Sequence, residues 1–154
     1  MRTSIISAAI MMGLAGCVGM RSPSIYGNFS QVAVPSADRK MASDAILKLE
    51  VLYPPARTRI DLLQKTTDPF GMALVEGLRS RGYALSEFYE RRSDIKAVGG
   101  PRSQPVLALA YVVDQPLDAG IYRVTILVDR QSLSRIYLAK DGAVEPAGYW
   151  AHKE

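Results

Sequence analysis

The chain has 154 residues, 48% of them hydrophobic and 22% charged, a usage that fits one globular domain and excludes an intrinsically disordered polymer. Its formal charge of +4 comes from acids and bases that alternate along most of the chain, not from a basic stripe interleaved with aromatics, so no direct nucleic-acid binding is expected. A single cysteine, Cys17, excludes an internal disulfide.

The N-terminus carries Arg2, then an apolar run from Ile5 to Leu14, then small residues, which is signal-peptide architecture and assigns residues 1–16 to a removable leader. The run is about ten residues, half the ~20 that span a bilayer as a helix, so a retained transmembrane anchor is not expected. Leu14, Ala15, Gly16 and Cys17 resemble the lipobox read by bacterial lipoprotein processing. The resemblance implies cleavage between Gly16 and Cys17. Small side chains at 15 and 16 let the scissile bond enter a narrow protease cleft, and the Cys17 thiolate is the nucleophile that takes a diacylglyceryl group. With an N-acyl chain added, and ~0.8 kcal/mol for each buried methylene, such an anchor is effectively permanent. Val18 stands where the inner-membrane retention signal of many Gram-negative lipoproteins has Asp. That favours the outer membrane, with the domain facing the periplasm.

Residues 18–36 contain Gly19, Pro23, Gly27 and Pro35 and little periodic hydrophobicity. With Cys17 they read either as a tether between lipid and domain or as a loop lying on its own domain. Ile25, Tyr26 and Phe29 are the candidate anchors for partner docking from this segment. The globular domain is expected over 37–154. Ser36 can cap a helix over Ala37 to Leu52, with Met41, Ala45, Leu49 and Leu52 at helical spacing, and Pro54 and Pro55 end it. Thr58 to Gln64 alternates, Ile60 and Leu62 opposing Arg59, Asp61 and Leu63, as a short strand does. Asp68 then Pro69 is an N-cap with proline at the first helical position, and the helix aligns Phe70, Ala73, Leu74 and Leu78 before Gly82 closes it. Tyr83 to Phe88 resumes an extended pattern, the outline of a helix crossing back over a sheet.

Glu90 to Gln104 holds Arg91, Arg92, Lys96, Gly99, Gly100, Pro101 and Arg102 and reads as a basic loop, a solvated excursion more readily than an anion-docking site. Val106 to Val113 is continuously apolar, suggesting a central strand covered on both faces. Ile121 to Asp129 alternates and pairs with it across a turn at Asp118, Ala119 and Gly120. Leu133 to Leu138 and Ala147 to Ala151 are further strands, separated by Asp141, Gly142 and Pro146. These elements give an α+β domain, a mostly antiparallel sheet of four to five strands with two helices packed on one face.

Chemistry is limited by supply. With Cys17 consumed by lipid, His152 is the only remaining His or Cys side chain, too few for a Cys/His pair or a zinc site built on such ligands. No phosphate-cradling glycine motif is present. Glu87 and Glu90 are the nearest thing to a local carboxylate pair, and solvated surface acids are the commoner use of such residues. Tyr149 and Trp150 fit a binding platform or, more commonly, an aromatic closure of the last strand. No catalytic residue, metal, cofactor or small-molecule substrate is expected.

The lipobox, the total length, and the run Asp68 Pro69 Phe70 Gly71 Met72 Ala73 Leu74 Val75 Glu76 Gly77 Leu78 Arg79 Ser80 Arg81 Gly82 Tyr83 Ala84 Leu85 together resemble the TrbH family of conjugal transfer lipoproteins. The resemblance implies a plasmid-encoded, non-enzymatic component of a type IV secretion apparatus for mating-pair formation. Its implied partners are the membrane, through the lipid on Cys17, and core subunits of the TrbG and TrbI type. A generic envelope lipoprotein assisting another outer-membrane assembly is the alternative.

Overall fold

The computed structural model describes residues 24–31, 34–88, 105–116 and 120–154. Gly16, Cys17 and the basic stretch 90–104 lie outside them. The chain enters through a two-residue strand, β1 (Gly27–Asn28), and then forms helix α1 (Pro35–Leu52). The helix starts ahead of Ser36. Val34 is its N-cap and Pro35 its first residue, with no side-chain cap, because the proline ring pre-sets the required φ and lacks an N–H that the first turn would leave unpaired. Ala37, Met41, Ala42, Ala45, Ile46 and Leu49 form the buried stripe. Tyr53 N–H closes the helix on Leu49 O at 2.7 Å, and Pro54 forbids continuation.

After a single 3-10 turn at Pro55–Arg57, the chain runs β2 (Arg59–Leu62), α2 (Pro69–Ser80) and β3 (Ala84–Ser86). Asp68 caps α2, its Oδ1 accepting from Gly71 N–H at 2.9 Å. Gly82, at φ +84°, takes the left-handed turn that lets Tyr83 N–H reach back to Leu78 O, a reversal that an L side chain disfavours. β3 returns parallel to β2, Ile60 opposite Leu85, so the expected crossover is present.

β4 (Val106–Asp114) lies parallel on the other side of β2 and antiparallel to β5 (Ile121–Val128), which pairs with β6 (Gln131–Lys140). β6 in turn pairs along one edge with β7 (Ala143–Pro146) and β8 (Ala151–Lys153). The spatial order is β3-β2-β4-β5-β6-β7, with β1 against β4 and β8 against β6, eight strands among the described residues. The α+β class stands, but the sheet is larger than four to five strands and is mixed, since β1, β2, β3 and β4 are mutually parallel where they pair. Pattern within a strand does not report which distant strand lies beside it, which is why the parallel pairing of β4 with β2 and with β1 was not expected.

Two further expectations are corrected. The last strand is not Ala147 to Ala151 but β7 and β8 separated by a bulge at 147–150, where Gly148 sits at φ +110° and several residues oppose Arg135 on β6. β4 is also covered by helices on one face only, although Ala110 on the other face is fully buried. Both helices pack on the face that carries Leu109, Tyr111 and Val113, joined by Tyr122, Val124, Ile126 and Val128 of β5. No described element covers the opposite face, where Val106 and Leu138 are 49% and 45% exposed. The core between helices and sheet is one cluster in which Phe70, Met41, Leu49, Leu74 and Leu78 meet Ile60, Leu109, Tyr111, Ile126 and Leu133. Each full burial of such a side chain contributes about 1.5–3 kcal/mol.

Candidate functional site

The parallel strands β2 and β3 end beside the start of α2, the position at which open α/β sheets commonly bind ligands. A shallow cleft of about 360 Å³ there is lined by Thr66, Met72, Val75, Glu76, Arg79 and Glu87, and Glu87 is ion-paired with Arg79 across it. A second cleft of about 270 Å³ shares Thr66 and Glu87 and adds Gln64 and Phe88.

The polar groups behind the clefts are engaged in holding the fold. Gln64 is 4% exposed. It donates from Nε2 to Tyr111 O at 3.2 Å and accepts Tyr111 N–H on Oε1 at 2.9 Å, replacing a strand that ends at Leu62. Asp68 takes Gly71 N–H on Oδ1 and the Tyr111 hydroxyl on Oδ2. Burial, reinforced by that carboxylate, pushes the Tyr111 phenol far above its ordinary range, so it stays a proton donor to Asp68 and is unsuited to act as a base. Gly71 permits the approach. A Cβ there would lie 2.1 Å from Tyr111 Oη and 3.0 Å from Thr66 Cα.

The second place of interest is the corner where the chain enters. Tyr26 N–H and O bracket the Ser24 hydroxyl, and Gly27 takes φ +145°. Asn28 Oδ1 accepts from Ser30 N–H and Oγ–H, while its Nδ2 donates to Asp38 Oδ1 on α1 at 3.0 Å. Phe29 N–H bonds Val113 O at 2.7 Å, and Gln31 N–H bonds Gln115 Oε1 at 2.7 Å. Residues 27–31 are thereby laid along the end of β4. Of the three candidate docking residues, Ile25 is 74% and Phe29 52% exposed, whereas Tyr26 is half-buried. Asp38 is 2% exposed, and its Oδ2 has no hydrogen-bond partner. Burial raises its pKa above 3.8, against the lowering bond from Asn28, and the Asp68 charge raises it further.

Near the C-terminus Tyr149 and Trp150 part company. Tyr149 is 97% exposed, while Trp150 packs on the core with the Arg135 guanidinium 6.0 Å from its ring. Arg135 also donates to Asp44 on α1 at 2.8 and 3.0 Å and to Gly148 O at 2.9 Å, so the bulge serves to pin the last strand to the helix layer. His152 is exposed on β8. Among the described residues no three His, Cys, Asp or Glu side chains gather as metal ligands, and no helix is long and apolar enough to cross a membrane. The Gln64–Tyr111–Asp68 clamp escaped the sequence reading because a polar run from Gln64 to Asp68 looks like any loop. Its one signal was Gly71 inside an otherwise regular helix.

The family model for the conjugal transfer protein TrbH matches residues 23–154, and the chain belongs to that family. Searches of curated proteins and of solved structures return no match.

Proposed function

We propose that the protein is an outer-membrane lipoprotein component of a conjugative type IV secretion apparatus, anchored through lipid on Cys17 and acting in assembly without catalysing a reaction. The observation that carries the proposal is the TrbH family match over 23–154, read together with the Leu14-Ala15-Gly16-Cys17 sequence just ahead of it. The non-enzymatic part is supported by how the buried polar side chains are used. Gln64, Asp68 and Tyr111 bond one another and the backbone, so these side chains are engaged in holding the fold. Its partners on this reading are apparatus core subunits of the TrbG and TrbI type, held near the membrane by a small rigid domain.

The test is a pull-down from detergent-solubilised envelopes of mating-competent cells, comparing the wild type with Cys17→Ser and identifying bound proteins by mass spectrometry. Recovery of transfer-apparatus core subunits, weakened in the variant, is the expected result. Recovery of none of them from the wild type would overturn the assignment to the apparatus.

A further inference from the structure

We infer that the helix-free face of the sheet over β3, β2 and the start of β4 is a docking surface whose occupant is this chain's own connection from β3 to β4, residues 89–104. The inference is independent of the lipid on Cys17 and of any partner protein.

Topology sets the path. β3 and β4 both run parallel to β2, one on each side of it. α2 carries the chain outward from β2 to β3 across the face on which the helices pack. The next connection starts from β3 and must step back past β2 to reach β4. Crossovers between parallel strands of one sheet are right-handed in about 98% of cases. Two crossovers that step in opposite directions keep that hand only by lying on opposite faces. A return over the helix face would make one of the two left-handed, and that face is already filled by the core between α1, α2 and the sheet. Length allows the other route. Ser86 and Ala108 both stand opposite Asp61, so the path from Phe88 to Pro105 drops about five residues and moves two strand spacings sideways, a diagonal of about 20 Å. The connection reaches about 55 Å when extended.

The surface along that path suits a chain lying on it. Ile60, Leu62, Leu85, Leu107, Leu109 and Tyr111 turn to the helix side, so strand alternation leaves Ala84, Ser86, Asp61, Ala108 and Ala110 on the free face. This is a floor of small side chains around one carboxylate. Asp61 Oδ1 is shielded from water and has no hydrogen-bond partner. Arg59 Nε stands 3.6 Å from it, beyond hydrogen-bond reach. A shielded acceptor on this floor calls for a donor laid over it, and the connection carries Arg91, Arg92, Lys96 and Arg102 against Glu90 and Asp94. A chain lying here also accounts for the continuous apolar run of β4, the pattern of a strand covered on both faces. The stretch read from sequence as a solvated excursion thus becomes the cover of the parallel half.

The test uses the full-length chain with Cys17→Ser, which removes its lone native thiol. Lys96→Cys is combined either with Ala108→Cys on the free face or with Met72→Cys, 54% exposed on α2. A short bismaleimide should link 96 to 108 about tenfold faster than 96 to 72, because the linking rate follows the effective concentration of the second thiol. Faster linkage to 72 would put the connection on the helix side and overturn the inference. Linkage of neither pair, with every single cysteine reacting freely with a monofunctional maleimide, also overturns it, since the connection then passes through solvent around the outer edge of β3. In a second measurement, Ala108→Cys alone is labelled in chains with the native connection and with residues 90–103 replaced by a Gly/Ser linker of equal length. Labelling about tenfold faster with the linker is expected, because the cover over β4 is then held only by its backbone. Equal rates, with unchanged Trp150 emission, would show that the native side chains do not cover this face.

Discussion

In the half of the sheet made by β2, β3 and the first part of β4, strands that touch are far apart in the chain, and the pairing is completed by buried side chains. Gln64 continues the ladder where β2 stops, and Tyr111 reaches from β4 to the cap of α2. In the half made by β5, β6 and β7, each strand pairs with its sequence neighbour across a tight reversal, at Asp129 (φ 52°) and at Asp141-Gly142 (φ 50° and 76°). The backbone there satisfies itself locally and the side chains only have to alternate. The parallel half is therefore the half in which single substitutions should be most damaging, and the half in which the neighbours of β4 were least legible in the sequence.

The largest effect is expected at Gly71. Gly71→Ala places a methyl into Tyr111 Oη, Tyr111 Cζ and the Thr66 backbone at once, and should cost on the order of 3 kcal/mol in urea unfolding, since none of these can withdraw without breaking the clamp. Gly77→Ala is the control on the same helix. Its methyl meets the Ile46 Cδ1 end of a flexible side chain at 2.3 Å, so the loss should be smaller. Equal losses at 71 and 77 would mean that helix contact, not the Tyr111 approach, limits this half. Next is Gln64→Leu, which leaves the Tyr111 N–H and carbonyl unpaired beside the core, at about 2 kcal/mol. A loss within error of zero would show that water replaces the side chain there.

In the antiparallel half, Arg135→Ala removes the Asp44 pair and the bond to Gly148 O and should cost about 1 kcal/mol, because the groups lie at the domain surface, 19% and 23% exposed. The single tryptophan gives it a local readout. Trp150 loses the guanidinium over its ring, and its emission should shift to the red. An unchanged spectrum would place the cost elsewhere than the bulge.

The same contrast explains what was legible. The span from Asp68 to Leu85 announces itself through a cap, a proline, an apolar stripe and a terminal glycine, each a local signal, and α2 and β3 follow. Likewise, alternation from Ile121 gave β5 and its inward face. β1 gave no such signal because its two residues are held by pairing with β4 and by the Asn28 bond to Asp38, and a tether and a sheet-bound segment of that composition look alike. The division of β7 from β8 depends on a bulge built around Arg135, a contact 91 residues distant from Asp44. For the candidate site, Ile25, Tyr26 and Phe29 were visible as isolated apolar residues in a polar stretch, but that Tyr26 is half-buried while its neighbours stand exposed had no local signal.

The smallest effect concerns the joint between the entering segment and the parallel half, and it has the opposite sign. Asp38 accepts from Asn28 on one oxygen, leaves the other without a partner, and lies near the Asp68 charge. Burial, first, and that charge raise its folded pKa above the 3.8 of an ordinary aspartate. The folded state thus keeps a proton that the unfolded chain releases, so the contribution of Asp38 to stability is fully present below pH 3.8, declines as pH rises through the window up to the folded pKa, and stays lost above it. Asp38→Asn retains an oxygen for Asn28 and carries no titrating proton. The variant should match the wild type in stability in acid and exceed it above the window, so that the difference between the two urea-unfolding curves grows with pH and then levels off. A difference that is flat from pH 3 to pH 7 would show that Asp38 ionises in the fold as freely as in water, and that the corner is attached to α1 by the Asn28 bond alone, without a buried charge beneath it.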